Sequence, residues 1–307
     1  MRVLVTGASG HIGSAVVAEL LAARHHVVGL ARSAASAEKI AAAGAEVLRG
    51  DLDDLAGLAV AARSAEGVIH LGYKHDLAFG GTADGFVKAA EHDVRVVQAM
   101  GEALVGSSKP FVNTSGTAQL ALFGGIARTG TEEDVVADGP RVAGENAVIA
   151  LAAKGVRSSV IRLPPTVHSS LDHHGFVPMF IAAARKNGFS AYIGDGANVW
   201  PAVHTLDAAR LYRLALESAP AGTRLHGVAD EGVAFREIAA AIGDGLGVPV
   251  KSVSADEAPA ALGAMAHFAQ IDNPCSSAHT RALLHWEPTH AGLLADLAAG
   301  HYFAATA

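Results

Sequence analysis

Apolar and polar positions fall into two rhythms along the chain. Short apolar runs at 3–5, 27–31, 45–48, 67–71, 110–113 and 157–162 have the length and continuity of buried strands. Stretches with apolar residues at helical spacing separate them, at 12–21, 35–43, 55–63, 84–104 and 142–154. Strands that are apolar throughout, rather than on alternate residues, belong to a parallel sheet covered on both faces. Right-handed crossovers then impose a doubly wound arrangement. After Pro164-Pro165 the rhythm changes. Strands become sparse, at 190–193, 224–228 and 250–253, and helices are predicted at 177–186, 206–217, 235–246, 278–284 and 292–299. The predicted fold class is therefore α/β: a doubly wound parallel sheet of the Rossmann type over 1–165. A smaller C-terminal, substrate-binding part follows over 166–307, with segments at about 190–230 returning to the core.

The first strand runs straight into glycines spaced by three, Gly7, Gly10 and Gly13, with His11 and Ile12 opening the following helix. Strand, glycine turn and helix form the geometry that cradles a pyrophosphate. Gly7 permits the turn, Gly10 lets backbone approach the phosphates, and Gly13 lets helix and strand pack closely. The helix N-terminus offers free N–H groups to the anion. The end of the second strand selects the nucleotide. Ala31 stands where a carboxylate would bind a free ribose 2′-hydroxyl, and Arg32 and Ser33 follow. A guanidinium there suits a 2′-phosphate, so NADP(H) is favoured over NAD(H). Asp51 and Leu52, after the third strand, are placed to meet the adenine, and Asp51 serves equally well as the N-cap of a helix starting at Asp53.

Composition narrows the classes. The chain has 307 residues, a net charge of −7 and no basic run, which argues against a nucleic-acid partner. Sixteen histidines are scattered without a metal-binding spacing, so no metal is expected. The single cysteine, Cys275, fits a reducing compartment and reads as an inert thiol. No apolar run approaches the roughly 20 residues of a membrane helix, and the opening run is shorter than the 7–15 or so of a secretory signal. A soluble, cytoplasmic protein acting on a small-molecule substrate is expected.

Six motifs then occur in order: Thr6-Gly-Ala-Ser-Gly-His-Ile-Gly13, Gly50-Asp-Leu-Asp53, Val68-Ile-His-Leu-Gly72, Phe111-Val-Asn-Thr-Ser-Gly-Thr117, Arg162-Leu-Pro-Pro-Thr166, and Gly194-Asp-Gly196 with Val203-His-Thr-Leu-Asp-Ala-Ala209. Together they resemble the extended short-chain dehydrogenase/reductase superfamily, of the NAD(P)-dependent epimerase/dehydratase type. The resemblance implies that Gly7, Gly10, His11, Ile12 and Gly13 hold the pyrophosphate. It sets Leu71, Gly72 and Tyr73 beside the ribose and the cofactor bridge, and Pro164, Pro165 and Thr166 beside the nicotinamide. It gives Ser115 or Thr117 the place of the catalytic hydroxyl. A homodimer through the helices at 84–104 and 142–154 is implied in the same way.

One feature departs from the pattern. The superfamily's acid/base is a Tyr with a Lys four residues later. Aligning Glu145 with the Glu that often follows that Tyr puts Ala137 at the Tyr and Arg141 at the Lys. Alanine has no proton to give, and Arg141 can hold ribose hydroxyls but stays charged. Substitutes lie after the fourth strand, at Tyr73 and His75, and in the loop holding His168, His173 and His174. Trp200, Pro201 and His204 belong to the stretch expected near the substrate. The reading is an atypical oxidoreductase, with NADPH-dependent reduction of a small carbonyl or activated alkene, Ser115, Thr117, Tyr73 and His75 being the catalytic candidates. A non-catalytic NADP(H) sensor and an isomerase or epimerase are the alternatives.

Overall fold

The computed structural model describes residues 1–82 and 84–304. Twelve strands are formed among them: β1 (Arg2–Thr6), β2 (His26–Ala31), β3 (Glu46–Arg49), β4 (Gly67–His70), β5 (Pro110–Gly116), β6 (Arg157–Leu163), β7 (Thr166–His168), β8 (Ser190–Ile193), β9 (Val199–His204), β10 (Thr223–His226), β11 (Asp230–Ala234) and β12 (Val250–Val253). Seven make one sheet in the order β10-β6-β5-β4-β1-β2-β3. Every pairing in it is parallel. The strand order reverses between β1 and β4, and in such sheets that reversal opens the ligand crevice at the carboxyl edge.

The continuous apolar strands fill both faces. Val3, Val5, Ile69, Val112 and Ile161 pack under helices His11–Ala22 and Thr205–Ser218. Leu4, Val68, Phe111 and Val160 pack under helices Leu55–Ser64 and Gly85–Glu102. A separate core joins Phe180, Trp200, Phe235, Leu262 and Leu293 in the C-terminal part. That part carries a three-stranded sheet, β11-β9-β7, and a β12-β8 pair.

The sequence reading leaves β7, β9 and β11 as loop. In β9 the apolar alternation is obscured by Pro201, β7 has only three residues, and β11 (DEGVA) is polar along most of its length. Short helices His75–Ala78, Ala118–Leu122, Ala258–Leu262 and Ala266–Ala269 are also unsignalled, because one turn shows no period. The expected helix at 142–154 forms as Val142–Ala150 followed by a tighter 3₁₀ turn, Leu151–Lys154. Several stretches of the C-terminal part return to the first half: helix Thr205–Ser218 packs on the main sheet, β10 extends it, and Leu284 and Trp286 enter its core.

Candidate cofactor and active site

The glycine turn is built as its spacing demands. Gly7 has φ +69°, and a Cβ there would meet the backbone of Leu71 and Gly72 at 2.8–3.0 Å. A Cβ on Gly13 would fall 1.9 Å from the Gly7 carbonyl oxygen, so nothing larger fits. Gly10 starts helix His11–Ala22 with no side-chain cap and no acidic residue in the first turn. The N-terminal amides therefore remain available to an anion. This cradle fits a dinucleotide pyrophosphate.

Neighbouring strands are locked to the turn. Thr6 Oγ1 lies 2.6 Å from His70 Nδ1 and accepts from the Gly72 amide at 3.0 Å, and His70 Nε2 meets buried Asp93 at 3.1 Å. The His11 side chain points the other way, 2.7 Å from Thr205 Oγ1 and 3.6 Å from the Asp172 carboxylate. Burial lowers the His11 pKa more than Asp172 raises it.

At the β2–β3 end, Ser33 Oγ caps helix Ala34–Ala42 through the Ser36 amide. Arg49 Nη1 donates to the Ser33 carbonyl at 2.6 Å, and Arg32 Nη1 pairs with Asp76 at 3.3 Å. Two guanidinium groups thus flank Ser33. Arg49, the second of them, escaped the sequence reading because it closes its own strand and nothing in sequence links it to Ser33. Asp51 accepts from the Asp53 amide, but the cap of helix Leu55–Ser64 is Asp54, which corrects the expected start at Asp53. Leu52 packs toward Gly72, where an added Cβ would lie 3.2 Å from its Cδ1.

Past β4 the chain carries Tyr73 and His75 over the carboxyl edge. The Arg141 guanidinium lies 4.1 Å above the Tyr73 ring and donates to the Thr114 carbonyl at 3.0 Å. The Tyr73 hydroxyl is buried and has no partner among the described residues. Burial pushes its pKa up, against the opposing pull of Arg141. Burial, aided by Arg141, lowers that of His75.

The two alcohol candidates are tied down. Ser115 Oγ donates to Glu145 at 2.7 Å and accepts from Gln119 at 2.5 Å. Glu145 is itself buried between Arg162 and Arg224. Thr117 Oγ1 accepts from Asn273 at 2.9 Å, close to Cys275, whose thiol burial pushes up to about 12. On the far side, Pro164 and Thr166 are buried, and Thr166 Oγ1 has no partner among the described residues. His168 is buried with Nδ1 2.8 Å from Asp296, and His204 caps its own helix. His173 and His174 are exposed, and Trp200 lies in the C-terminal core. Ala137 sits in an exposed loop, four residues before Arg141.

The profile of the NAD dependent epimerase/dehydratase family matches residues 3–226. An uncharacterized protein of Schizosaccharomyces pombe is 46% identical over 305 residues, spanning 99% of this chain and all of that one. A 2′-dehydrokanamycin reductase of Streptomyces kanamyceticus is 29% identical over 259 residues, 83% of this chain and 69% of its own. Among solved structures, a dTDP-glucose 4,6-dehydratase from Streptomyces venezuelae with NAD and TYD bound superposes with a TM-score of 0.75 at 22% identity, covering 99% and 96% of the two chains. A UDP-glucuronic acid 4-epimerase from Bacillus cereus in complex with UDP-glucuronic acid and NAD gives 0.75 at 19%, covering 99% of each. At these identities the structural likeness speaks for the fold.

Proposed function

The chain belongs to the NAD dependent epimerase/dehydratase family, and from that premise we propose that it is an NADPH-dependent reductase of a small carbonyl or activated alkene, with Tyr73 as the proton donor. The observation that carries this reading is the buried Tyr73 hydroxyl, without a partner among the described residues, on a ring covered by the Arg141 guanidinium. The familiar Tyr and Lys are separated by one helical turn. Here the phenol comes from the segment after β4, and the cation comes from the N-cap of helix Val142–Ala150.

NADPH, when bound, supplies the reducing equivalent. Gly7, Gly10, His11, Ile12 and Gly13 hold its pyrophosphate, and Leu71, Gly72, Asp51 and Leu52 line the adenosine side. Pro164 and Thr166 wall the nicotinamide end. Arg32 and Ser33 take the 2′-phosphate, joined by Arg49. The relationship to a reductase of Streptomyces kanamyceticus supports the reductive direction.

The chain's own contribution is proton delivery and its electrostatics. Tyr73, with its pKa raised, remains protonated at neutral pH and is a ready donor. As its proton leaves, Arg141 stabilises the phenolate through a water-poor contact. Ser115 and Thr117 act by position: they tie the end of β5 to Glu145 and Asn273 and so fix Thr114, whose carbonyl orients Arg141.

Tyr73→Phe is expected to lower kcat about 10²- to 10⁴-fold with NADPH affinity unchanged in a fluorescence titration. A kcat near wild type would remove Tyr73 from the role. The pH profile separates it from His75. With Tyr73 as donor, kcat/KM is flat through neutrality and declines only in the alkaline range above an ordinary phenol. With His75, whose pKa is lowered, the protonated form is scarce at pH 7, and the rate would climb as pH drops below about 6.5.

A further inference from the structure

Strands β2 and β4 flank β1, so the segments that leave them stand on either side of the glycine turn. Strands two apart are separated by roughly 10 Å, a gap that one long side chain can close. Arg32, just past β2, closes it: its Nη1 donates to Asp76 Oδ2 at 3.3 Å. Asp76 belongs to the segment after β4, three residues beyond Tyr73. The ion pair therefore bridges the crevice on its nucleotide side.

The place of Asp76 is set by more than its own side chain, because its segment is anchored. Lys74 Nζ donates to Asp53 Oδ1 at 2.5 Å, and His92 Nε2 lies 2.7 Å from the same oxygen. Residues 74–79 then close a helical turn, the Ala78 amide donating to the Lys74 carbonyl and the Phe79 amide to the His75 carbonyl, each at 2.9 Å. The loop after β3 thus holds this segment toward the β2 side, and Asp76 arrives opposite Arg32. Slight burial pushes the Asp76 carboxyl pKa up, but the hydrogen bond and charge of Arg32 outweigh it, so the group is ionised at neutral pH.

Ala31 closes β2 where a carboxylate would discriminate between the two nucleotides. We propose that Asp76 supplies that discrimination from another strand: it competes with the 2′-phosphate for Arg32 and so narrows the preference for NADPH over NADH. This rests on the NADPH reading above. A phosphate monoester carries about −1.5 to −2 charges at neutral pH, more than one carboxylate, so NADPH displaces Asp76. NADH brings a hydroxyl to the same place and leaves the pair closed. The Arg32 and Asp76 side chains are 64% and 65% exposed, and ion pairs so exposed are weak. The effect is therefore a few-fold bias in affinity, short of an all-or-none choice.

Fluorescence titration of the full chain with NADPH and NADH tests this. Asp76→Asn is expected to tighten NADPH about three- to fivefold and to leave NADH within about twofold. Asp76→Glu, which keeps the charge, should stay near wild type with both. In an Arg32→Ala background, Asp76→Asn should give no gain, because the carboxylate acts through Arg32. NADPH affinity unchanged or weakened in Asp76→Asn, an equal gain for both nucleotides, or the same gain without Arg32 overturns the inference and leaves the NADPH reading standing. A wild-type chain that binds neither nucleotide defeats the NADPH reading itself, and this inference falls with it.

Discussion

Glu145 carries a full charge at 3% exposure, and its neighbours explain why it can. Burial pushes its carboxyl pKa up, yet hydrogen bonds and charge from Arg162, with Ser115 and Arg224, outweigh that and hold it low. Removing the carboxylate leaves the Arg162 guanidinium buried beside no opposite charge. Glu145→Ala is expected to cost about 3–5 kcal/mol, read by denaturant unfolding; a loss under about 1 kcal/mol would mean that Arg162 finds another partner. His226, on the other side of Arg162, gives the pH dependence. Burial lowers its pKa to about 4, so the folded chain keeps it neutral. The unfolded chain binds a proton below about 6.5. This group therefore costs nothing above that pH, and stability falls as pH drops from about 6.5 toward 4. His226→Asn should flatten the decline of Tm over that window, and an unchanged slope would shift the cause elsewhere. The glycines were legible here because a turn shows itself in neighbouring residues. Glu145 was placed only by its spacing from an absent Tyr, and its partners Arg162 and Arg224 lie 17 and 79 residues away. The same gap hid the meeting of Tyr73 with Arg141, though each had been singled out by itself.

At the level of elements, the main sheet was read nearly strand for strand, because strands buried on both faces are apolar without interruption. β7, β9 and β11 were lost because one is short, one contains Pro201 and one is polar. The ends of β2 and β3 show what element pairing adds. Ala31 and Arg49 are in register, so the last residue of β3 reaches across to the Ser33 carbonyl that follows β2. If Arg32 and Arg49 both face a 2′-phosphate, Arg32→Asp and Arg49→Ala should each weaken NADPH about tenfold, the loss of a charged hydrogen bond discounted for solvent exposure. NADH affinity should change little with Arg49→Ala. Fluorescence titration of both nucleotides decides this. Equal losses for NADPH and NADH would give Arg49 a role in shaping the Ser33 turn and none in nucleotide choice.

Over the whole molecule, the chain crosses between its halves more often than a division near residue 165 implies. Helix Thr205–Ser218 and strand β10 belong to the nucleotide-binding half, and residues 284–290 come back to it a second time. Trp286 is fully buried among Val16, Val203 and Leu211, and its indole N–H donates to the Asp207 carbonyl at 3.0 Å. The amides of Thr289 and His290 both donate to the Asp207 carboxylate, also at 3.0 Å, and these bonds help hold its pKa low against burial. Residues beyond β11 are thus part of the core beneath the glycine turn, and the C-terminal part cannot unfold while leaving that core whole. One cooperative transition follows, with far-ultraviolet circular dichroism and tryptophan fluorescence tracing the same curve. Trp286→Ala opens a cavity in the nucleotide-binding half, so it should lower stability by about 3–5 kcal/mol and weaken NADPH binding although Trp286 does not touch the cofactor cradle. Two separated transitions, or full NADPH affinity after the C-terminal part has melted, would mean that the halves fold independently and that the return of residues 284–290 is a surface attachment.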